Sequence, residues 1–362
     1  MDLDQLRQRL NQIDREFLEL MAERQSVVEQ VSRLKLSSGQ ATRDYAREKQ
    51  VLDQARADAQ ELGIAPDIAA EVMRLLIRTS LTRQENARVR AEGRGDGQRA
   101  LVIGGSGKMG RWFAVFLDSQ GYRVTIADPV AADGSFAHVT DWQAATGDFA
   151  VTVIAAPLTA SADILRQMAA TGHAGLIFDV GSLKTPLIEP LRALAAAGAQ
   201  VTSVHPMFGP DTELLSDKHV IFLDAGCARA NAAARELFAS TMAQQSDMTL
   251  EDHDRLIAYV LGLSHAVNIV FFSVLANSGE AVPRLADISS TTFDAQLAVA
   301  VRVANENPEL YFEIQSLNEF GLEPLEALSA AVEQITATVR NHDAAAFVAM
   351  MQAGRRYLAS RS

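Results

Sequence analysis

Apolar residues recur every three or four positions over the first 35 residues: Leu3, Leu6, Leu10, Ile13, Phe17, Leu20, Val27, Val31 and Leu34. That spacing predicts one long amphipathic helix, stopped by Ser37-Ser38-Gly39. A second helix is expected from about Asp44 to Leu62, closed by Gly63. Pro66 opens a third, with Ile68, Val72, Leu75, Leu76 and Ile77 on its apolar face. The stretch from Arg88 to Arg99 (RVRAEGRGDGQR) is polar and glycine-rich, with almost nothing to bury, and reads as a linker. Beyond it the period changes. Strand-like runs at 100–103, 123–127, 150–155, 175–180, 200–204 and 219–223 alternate with helical stretches, the pattern of a doubly wound parallel sheet. From Asp252 onward nearly everything has helical spacing, punctuated by Pro283, Pro308 and Pro324. The expected fold is multidomain. A three-helix all-α domain spans residues 1–88 and a linker 89–99. An α/β Rossmann-like domain spans 100–250 and an all-α helical domain 251–362.

The first strand of the sheet runs straight into Gly104-Gly105-Ser106-Gly107-Lys108-Met109-Gly110. Gly105, Gly107 and Gly110 form G-x-G-x-x-G between a strand and a helix. In that setting the glycines allow a tight turn, close backbone approach to a pyrophosphate, and close helix–strand packing. The helix opening at Lys108 presents free N–H groups to the phosphates. Ser106, Lys108 and Met109 fill the rest of the loop. The next strand ends at Asp128, an acid suited to ribose hydroxyls and repelled by an extra phosphate, which favours NAD over NADP. A glycine-rich turn beside a capping Asp is the plainer alternative.

Composition narrows the picture. The 362 residues allow two or three domains. A net charge of −12 argues against general nucleic-acid affinity, so an anionic substrate needs local Arg and Lys clusters. Cys227 is the only cysteine, which excludes an intramolecular disulfide and fits a cytoplasmic setting. No Cys/His spacing suggests a metal, and no signal-peptide pattern is seen. Residues 256–276 lack acid, Lys and Arg over a membrane-spanning length. Ser264, His265 and Asn268 within them favour a helix buried in a domain or dimer core, and no membrane association is expected.

One position breaks the apolar seam of the first helix: Arg24. A guanidinium there is costly unless an anion pairs with it. Lys35, eleven residues on, lies only about 20° further round the helix. Arg7, seventeen residues before Arg24, lies roughly 100° away, so Arg7 of a partner subunit serves such a pocket more easily. Asp44, Arg47 and Glu48 begin the second helix, and Ser80 and Gln84 are an i,i+4 pair on the third. Any one of these alone reads as solvated surface charge.

Together they resemble the all-helical chorismate mutase family, whose three-helix subunits intertwine as a dimer. Arg7, Arg24, Lys35, Asp44, Arg47, Glu48, Ser80 and Gln84 all fall on its active-site pattern. The resemblance implies that Arg24, Arg47 and Arg7 of the partner subunit hold the substrate carboxylates. It implies that Lys35 and Gln84 bond the ether oxygen and Glu48 the ring hydroxyl.

A second constellation lies at strand ends, where open parallel sheets bind ligands. His205-Pro206-Met207-Phe208-Gly209-Pro210-Asp211 ends one strand and Asp179-Val180-Gly181-Ser182-Leu183-Lys184 the one before. His205, Ser182 and the fingerprint loop are expected to converge on one cleft, although a histidine satisfied within the core is the bland reading of His205. HPMFGPD with the fingerprint resembles prephenate dehydrogenase, and nearly all of residues 1–358 resemble the bifunctional chorismate mutase/prephenate dehydrogenase family. The resemblance implies NAD-dependent oxidative decarboxylation of prephenate, with His205 accepting the hydroxyl proton and Ser182 orienting the hydroxyl or the nicotinamide. It implies Arg302 on the substrate carboxylate, His265 near the substrate, and His253 either there or at a helix start. It further implies a homodimer, with tyrosine as a candidate feedback inhibitor. Asp294 departs from the family pattern, in which a close relative has arginine. That leaves open an amino analogue, 4-amino-4-deoxyprephenate or arogenate, as substrate. A front domain serving only dimerisation or regulation is the non-catalytic alternative.

Overall fold

The computed structural model describes residues 2–131 and 134–360. By its internal contacts the chain forms two compact units. One holds residues 1–156, 163–181 and 191–247, and the other residues 157–162, 182–190 and 248–362.

The first unit starts with α1 (Leu3–Ser37), α2 (Tyr45–Glu61) and α3 (Pro66–Glu92). Asp2 caps α1 in a reciprocal capping box with Gln5, and Asp44 caps α2 by accepting from the Arg47 amide. Pro66 is the first residue of α3, where its missing N–H costs nothing. The apolar stripe of α1 stays largely exposed, from Leu3 to Leu34.

The expected linker is shorter than its composition suggests. Residues 89–92 are the last turn of α3. Val89 is buried in the same apolar cluster as Val102, Phe113 and Phe116 of the sheet domain. One apolar residue at the right helical phase was enough to continue the helix through a polar sequence.

The sheet has eight strands: β1 (Arg99–Ile103), β2 (Arg123–Ala127), β3 (Ala137–Val139), β4 (Val151–Ile154), β5 (Leu176–Asp179), β6 (Gln200–Pro206), β7 (His219–Leu223) and β8 (Gln244–Met248). Their order is β3-β2-β1-β4-β5-β6-β7-β8. Strands β1 to β6 pair in parallel, but β7 runs antiparallel to β6, so the sheet is mixed rather than wholly parallel. Twelve non-helical residues, 207–218, join β6 to β7, whereas a parallel return usually runs through a helix, in a crossover of about a dozen residues or more. The order reverses at β1, between β2 and β4, which is the switch point where such sheets bind ligands. Helix α4 (Lys108–Ser119) leaves this point and buries Phe113, Ala114, Phe116 and Leu117. Helices α5 (Leu158–Thr171), α6 (Ile188–Ala196) and α7 (Ala228–Leu237) follow in the chain.

The second unit contains α8 (Leu250–Ile257), a π turn at Ala258–Leu263, α9 (Ser264–Asn277), α10 (Val282–Asp287), α11 (Thr291–Ala304), α12 (Pro308–Ser316), α13 (Leu322–Arg340) and α14 (Ala344–Ala359). Helical residues 250–277 are long and apolar enough to cross a membrane by length and composition. They also bury His253, Asp254 and Asn268. Within one chain this stretch is not a core helix: Leu256, Tyr259, Val260, Val270 and Val274 are exposed. The same holds for Val332, Val339, Val348 and Met351 on α13 and α14.

Candidate active sites

Arg24 is half-buried on α1 and reaches α3. It donates to Ser80 Oγ at 2.7 Å and to the Leu76 carbonyl at 3.2 Å. Burial lowers its pKa, the direction expected for a cation withdrawn from water. One turn along α3 from Ser80, Gln84 is buried, and its Oε1 has no hydrogen-bond partner among the described residues. Gln84 shares a niche with Ser32, Lys35, Thr42 and Arg88, and Lys35 Nζ donates to the Thr42 carbonyl at 2.7 Å. Arg24, Ser80, Gln84 and Lys35 thus lie along one α1–α3 strip. The niche has a free volume of only about 10 Å³, too little for a dicarboxylate in this single chain.

The other four residues lie elsewhere. Arg7 is exposed beside Asp4, about 25 Å along the α1 axis from Arg24. Arg47 is exposed, its guanidinium against Gln50, and Asp44 is spent on the α2 cap. Glu48 differs most from expectation. Both its oxygens are taken by the Arg43 fork, at 2.9 and 3.1 Å, and it lines a separate cavity with Leu52, Arg74 and Asp217. The sequence reading passed over Arg43 because it precedes the helix cap. It passed over Arg88 because its surroundings look like linker.

At the switch point the glycines are required by contact. Gly104, at φ +79°, lets the chain turn against the Ala155 carbonyl. The left-handed position is therefore Gly104, one residue ahead of the expected fingerprint. A Cβ on Gly110 would lie 2.1 Å from the Gly104 carbonyl oxygen. Gly107 caps α4 without a side-chain bond, so the first N–H groups of the helix remain available to an anion. Asp128 accepts from the Ser106 amide at 3.1 Å and the Val130 amide at 2.9 Å. Each of its oxygens keeps acceptor capacity for a hydroxyl. Lys108 is exposed at the start of α4, and Met109 packs against the core cluster. This loop fits a dinucleotide. Gly110→Ala is expected to force the turn open, cost about 1–3 kcal/mol, and raise the NAD dissociation constant. NAD titration and thermal melting check it, and wild-type values for both would refute the packing argument.

His205 is buried near the end of β6, facing Ile221 of β7 across the antiparallel ladder. The chain continues from it into residues 207–218.

Ser182, Arg302, His265 and His253 belong to the second unit. Ser182 opens a loop pinned by Asp254, which accepts from the Lys184 amide at 2.8 Å and from the Thr185 hydroxyl at 2.6 Å. His253 is fully buried, with Nδ1 2.6 Å from Asp254. At the start of α8 the ring helps hold the carboxylate that pins the Ser182 loop. Burial alone would raise the Asp254 pKa, but the bonds from His253 and Thr185 hold it below the usual value. Arg302 is exposed in the last turn of α11, and its side chain has no partner among the described residues. Asp294, in the first turn of α11, accepts from the Ser289 hydroxyl.

His265 stacks on Tyr311 with ring centroids 4.0 Å apart, and burial lowers its pKa to about 4. It is neutral at pH 7. A folded pKa below the unfolded value of about 6.5 means that the unfolded chain binds the proton more tightly. Stability from the neutral ring is therefore complete above about pH 6.5 and is lost as pH falls toward 4. Thermal melting of wild type and His265→Gln across this window should show a steeper acid decline for wild type. Parallel curves would refute it.

Residues 6–85 match the chorismate mutase type II family, residues 125–244 the prephenate dehydrogenase nucleotide-binding domain, and residues 249–353 the prephenate dehydrogenase dimerization domain. The T-protein of Enterobacter agglomerans is 27% identical over 352 residues, covering 96% of this chain and 91% of that one. The chain belongs to the bifunctional chorismate mutase/prephenate dehydrogenase family. The 4-amino-4-deoxyprephenate dehydrogenase of Streptomyces pristinaespiralis is 29% identical over 265 residues, covering 70% of this chain and 88% of that one. The solved Aquifex aeolicus prephenate dehydrogenase, with hydroxyphenyl propionate and NAD+, shares the dehydrogenase fold. Its TM-score is 0.54 at 16% identity, over 72% of this chain and 97% of that one. As in the bifunctional family, a mutase domain precedes an NAD-dependent dehydrogenase.

Proposed function

We propose that the three helices rearrange chorismate to prephenate, and that the following domains oxidise and decarboxylate prephenate to 4-hydroxyphenylpyruvate on the route to tyrosine. What carries this reading is one chain that matches, in sequence order, a chorismate mutase and both domains of a prephenate dehydrogenase.

The rearrangement is intramolecular and needs no nucleophile. It needs a dianion folded into a reactive conformer, and donors on an ether oxygen that gains charge as its bond breaks. Arg24, held by Ser80, supplies a fixed cation for a carboxylate. Lys35 supplies one donor and Gln84 the other, through its side-chain NH2. Arg47 and Arg7 of the partner subunit complete the carboxylate clamp, which accounts for the small niche of the single chain. Glu48, gripped by the Arg43 fork, retains lone pairs for the ring hydroxyl, and Asp44 fixes the helix start that presents Arg47 and Glu48.

In the second reaction NAD supplies the hydride acceptor. Residues Gly105 to Gly110 and Asp128 bind it. His205 accepts the proton of the 4-hydroxyl as the carbonyl forms. The ring carboxylate leaves as carbon dioxide, its bonding electrons complete the aromatic ring as a phenolate, and the proton returns from His205 to give the phenol. Arg302 takes the side-chain carboxylate by a bidentate bond, with neutral His265 and Ser182 orienting the substrate. Exposed apolar faces on α9, α13 and α14 support a homodimer. Tyrosine fits as a feedback ligand of this reaction, and a cytoplasmic setting fits the single cysteine.

A second reading has a specific basis. Asp294 stands where a close relative has arginine, and one relative is named for an amino substrate. An acid there would suit a substrate amine. Purified protein given NAD and chorismate, prephenate or 4-amino-4-deoxyprephenate, with NADH absorbance followed, separates the two. Faster turnover of the amino compound would overturn the choice of prephenate.

A further inference from the structure

The loop of residues 207–218 begins two residues after His205, is joined to β7 and β8 by backbone bonds at Met207 and Lys218, and is tied by side chains from elsewhere at four more residues. Within the dehydrogenase domain, Trp112 Nε1 donates to the Thr212 carbonyl at 2.9 Å. The other side-chain ties come from the helices in front. Glu85 of α3 accepts from the Leu215 amide at 2.7 Å and from the Met242 amide at 2.5 Å. Arg43, just before α2, donates to Ser216 Oγ at 2.5 Å and Asp217 Oδ2 at 2.6 Å, while the rest of its fork grips Glu48.

We propose that Glu85 and Arg43 are positioning residues of the dehydrogenase: the mutase helices hold the loop that follows His205. The inference rests on the functional reading above.

Three observations support it. Glu85 is 2% exposed, and both its oxygens are spent on backbone amides 27 residues apart in sequence. A buried carboxylate is costly, and only the two amides offset that cost. It is thus a built clamp, unlike a surface contact. Asp217 has φ +63°, a conformation uncommon outside glycine that persists when the surroundings impose it. Its contact with Arg43 is such an imposition. Finally, packing supports only part of the loop. Leu215 joins the core cluster and Phe208 packs against it, whereas Pro210, Asp211, Thr212 and Glu213 border a cavity of about 810 Å³, so the named bonds help to fix the loop.

Neighbouring residues divide the labour. Gln84 lines the mutase niche and Glu85, next in the chain, holds the dehydrogenase loop. Glu48 and Asp217 are likewise joined through one guanidinium.

The test uses the full-length protein with prephenate, NAD and, separately, chorismate. In Glu85→Gln one amide loses its acceptor, because a carboxamide offers a single oxygen. Asp217→Gly removes the anchor while keeping the positive φ available, and Asp217→Asn keeps a hydrogen bond and tolerates that φ. A loop displaced by about 1 Å lowers turnover by roughly ten- to a hundredfold. We expect Glu85→Gln and Asp217→Gly to lower prephenate kcat/KM by at least about tenfold on that basis. Chorismate kcat/KM should stay within about twofold, and Asp217→Asn should recover most of the loss. Unchanged prephenate kinetics in both variants overturns the proposal. So does an equal fall of both activities that tracks a lower melting temperature. A wild-type protein that oxidises neither prephenate nor its amino analogue overturns the functional reading itself, before any variant is compared.

Discussion

Replacing His205 by asparagine is expected to lower prephenate oxidation by about 10²–10⁴-fold, the usual worth of a positioned proton acceptor. Asparagine keeps polarity at the end of β6 but cannot take a proton near neutral pH. His205 is buried within a two-strand ladder, so the smaller amide fits without displacing the strands. Dinucleotide affinity should be unchanged, because the phosphate loop hangs on β1, three places away in the sheet. Chorismate turnover should also be unchanged. NADH formation from prephenate, NAD titration and chorismate loss together check the prediction. Retained NADH formation would remove His205 from proton transfer, and lost NAD affinity would make it structural.

Arg24→Ala is expected to cut chorismate turnover by about 10²-fold or more, the scale for losing one preorganised charge donor. The fold should tolerate the change. Ser80 Oγ already donates to the Leu76 carbonyl at 2.6 Å, so that acceptor is not orphaned when the guanidinium goes. Removing a cation that burial disfavours also offsets lost packing. Arg24→Lys should fall between, since an ammonium cannot present a fork. Chorismate disappearance, with sedimentation to confirm unchanged assembly, decides the matter. Full activity in Arg24→Ala would support a purely structural role for the three helices.

Much of this was legible in the chain because strong periodicity and tight turns leave marks. All six expected strands formed, and β2 and β7 matched to the residue, since apolar runs bounded by polar turns have few alternatives. Strand β3 has three residues and none is fully buried. Strand β8 (QQSDM) is polar and poorly buried. Both add to edges of a sheet that already exists, so their own sequences carry little signal. Gly110 was readable because only glycine fits there. Glu85 was not: an acid within RQENAR looks like solvated helix, and only tertiary structure brings two amides to it. Glu48 was placed by resemblance, which knows nothing of the loop that brings Asp217 to Arg43. The apolar helix at residues 256–276 showed that something must cover it, and a single chain leaves that demand unmet.

Helix α3 has a consequence for how such an enzyme can be taken apart. Its Ser80 and Gln84 lie on the strip shared with α1, while Val89 is set into the core beneath the nucleotide fold. No peptide bond between the two is a clean seam. Splitting the gene at residue 88 would give a dehydrogenase with a hole in its floor and a mutase with a severed final turn. Two self-sufficient halves would have to share about the last two turns of α3, present in both polypeptides. The fusion, once made, is hard to reverse.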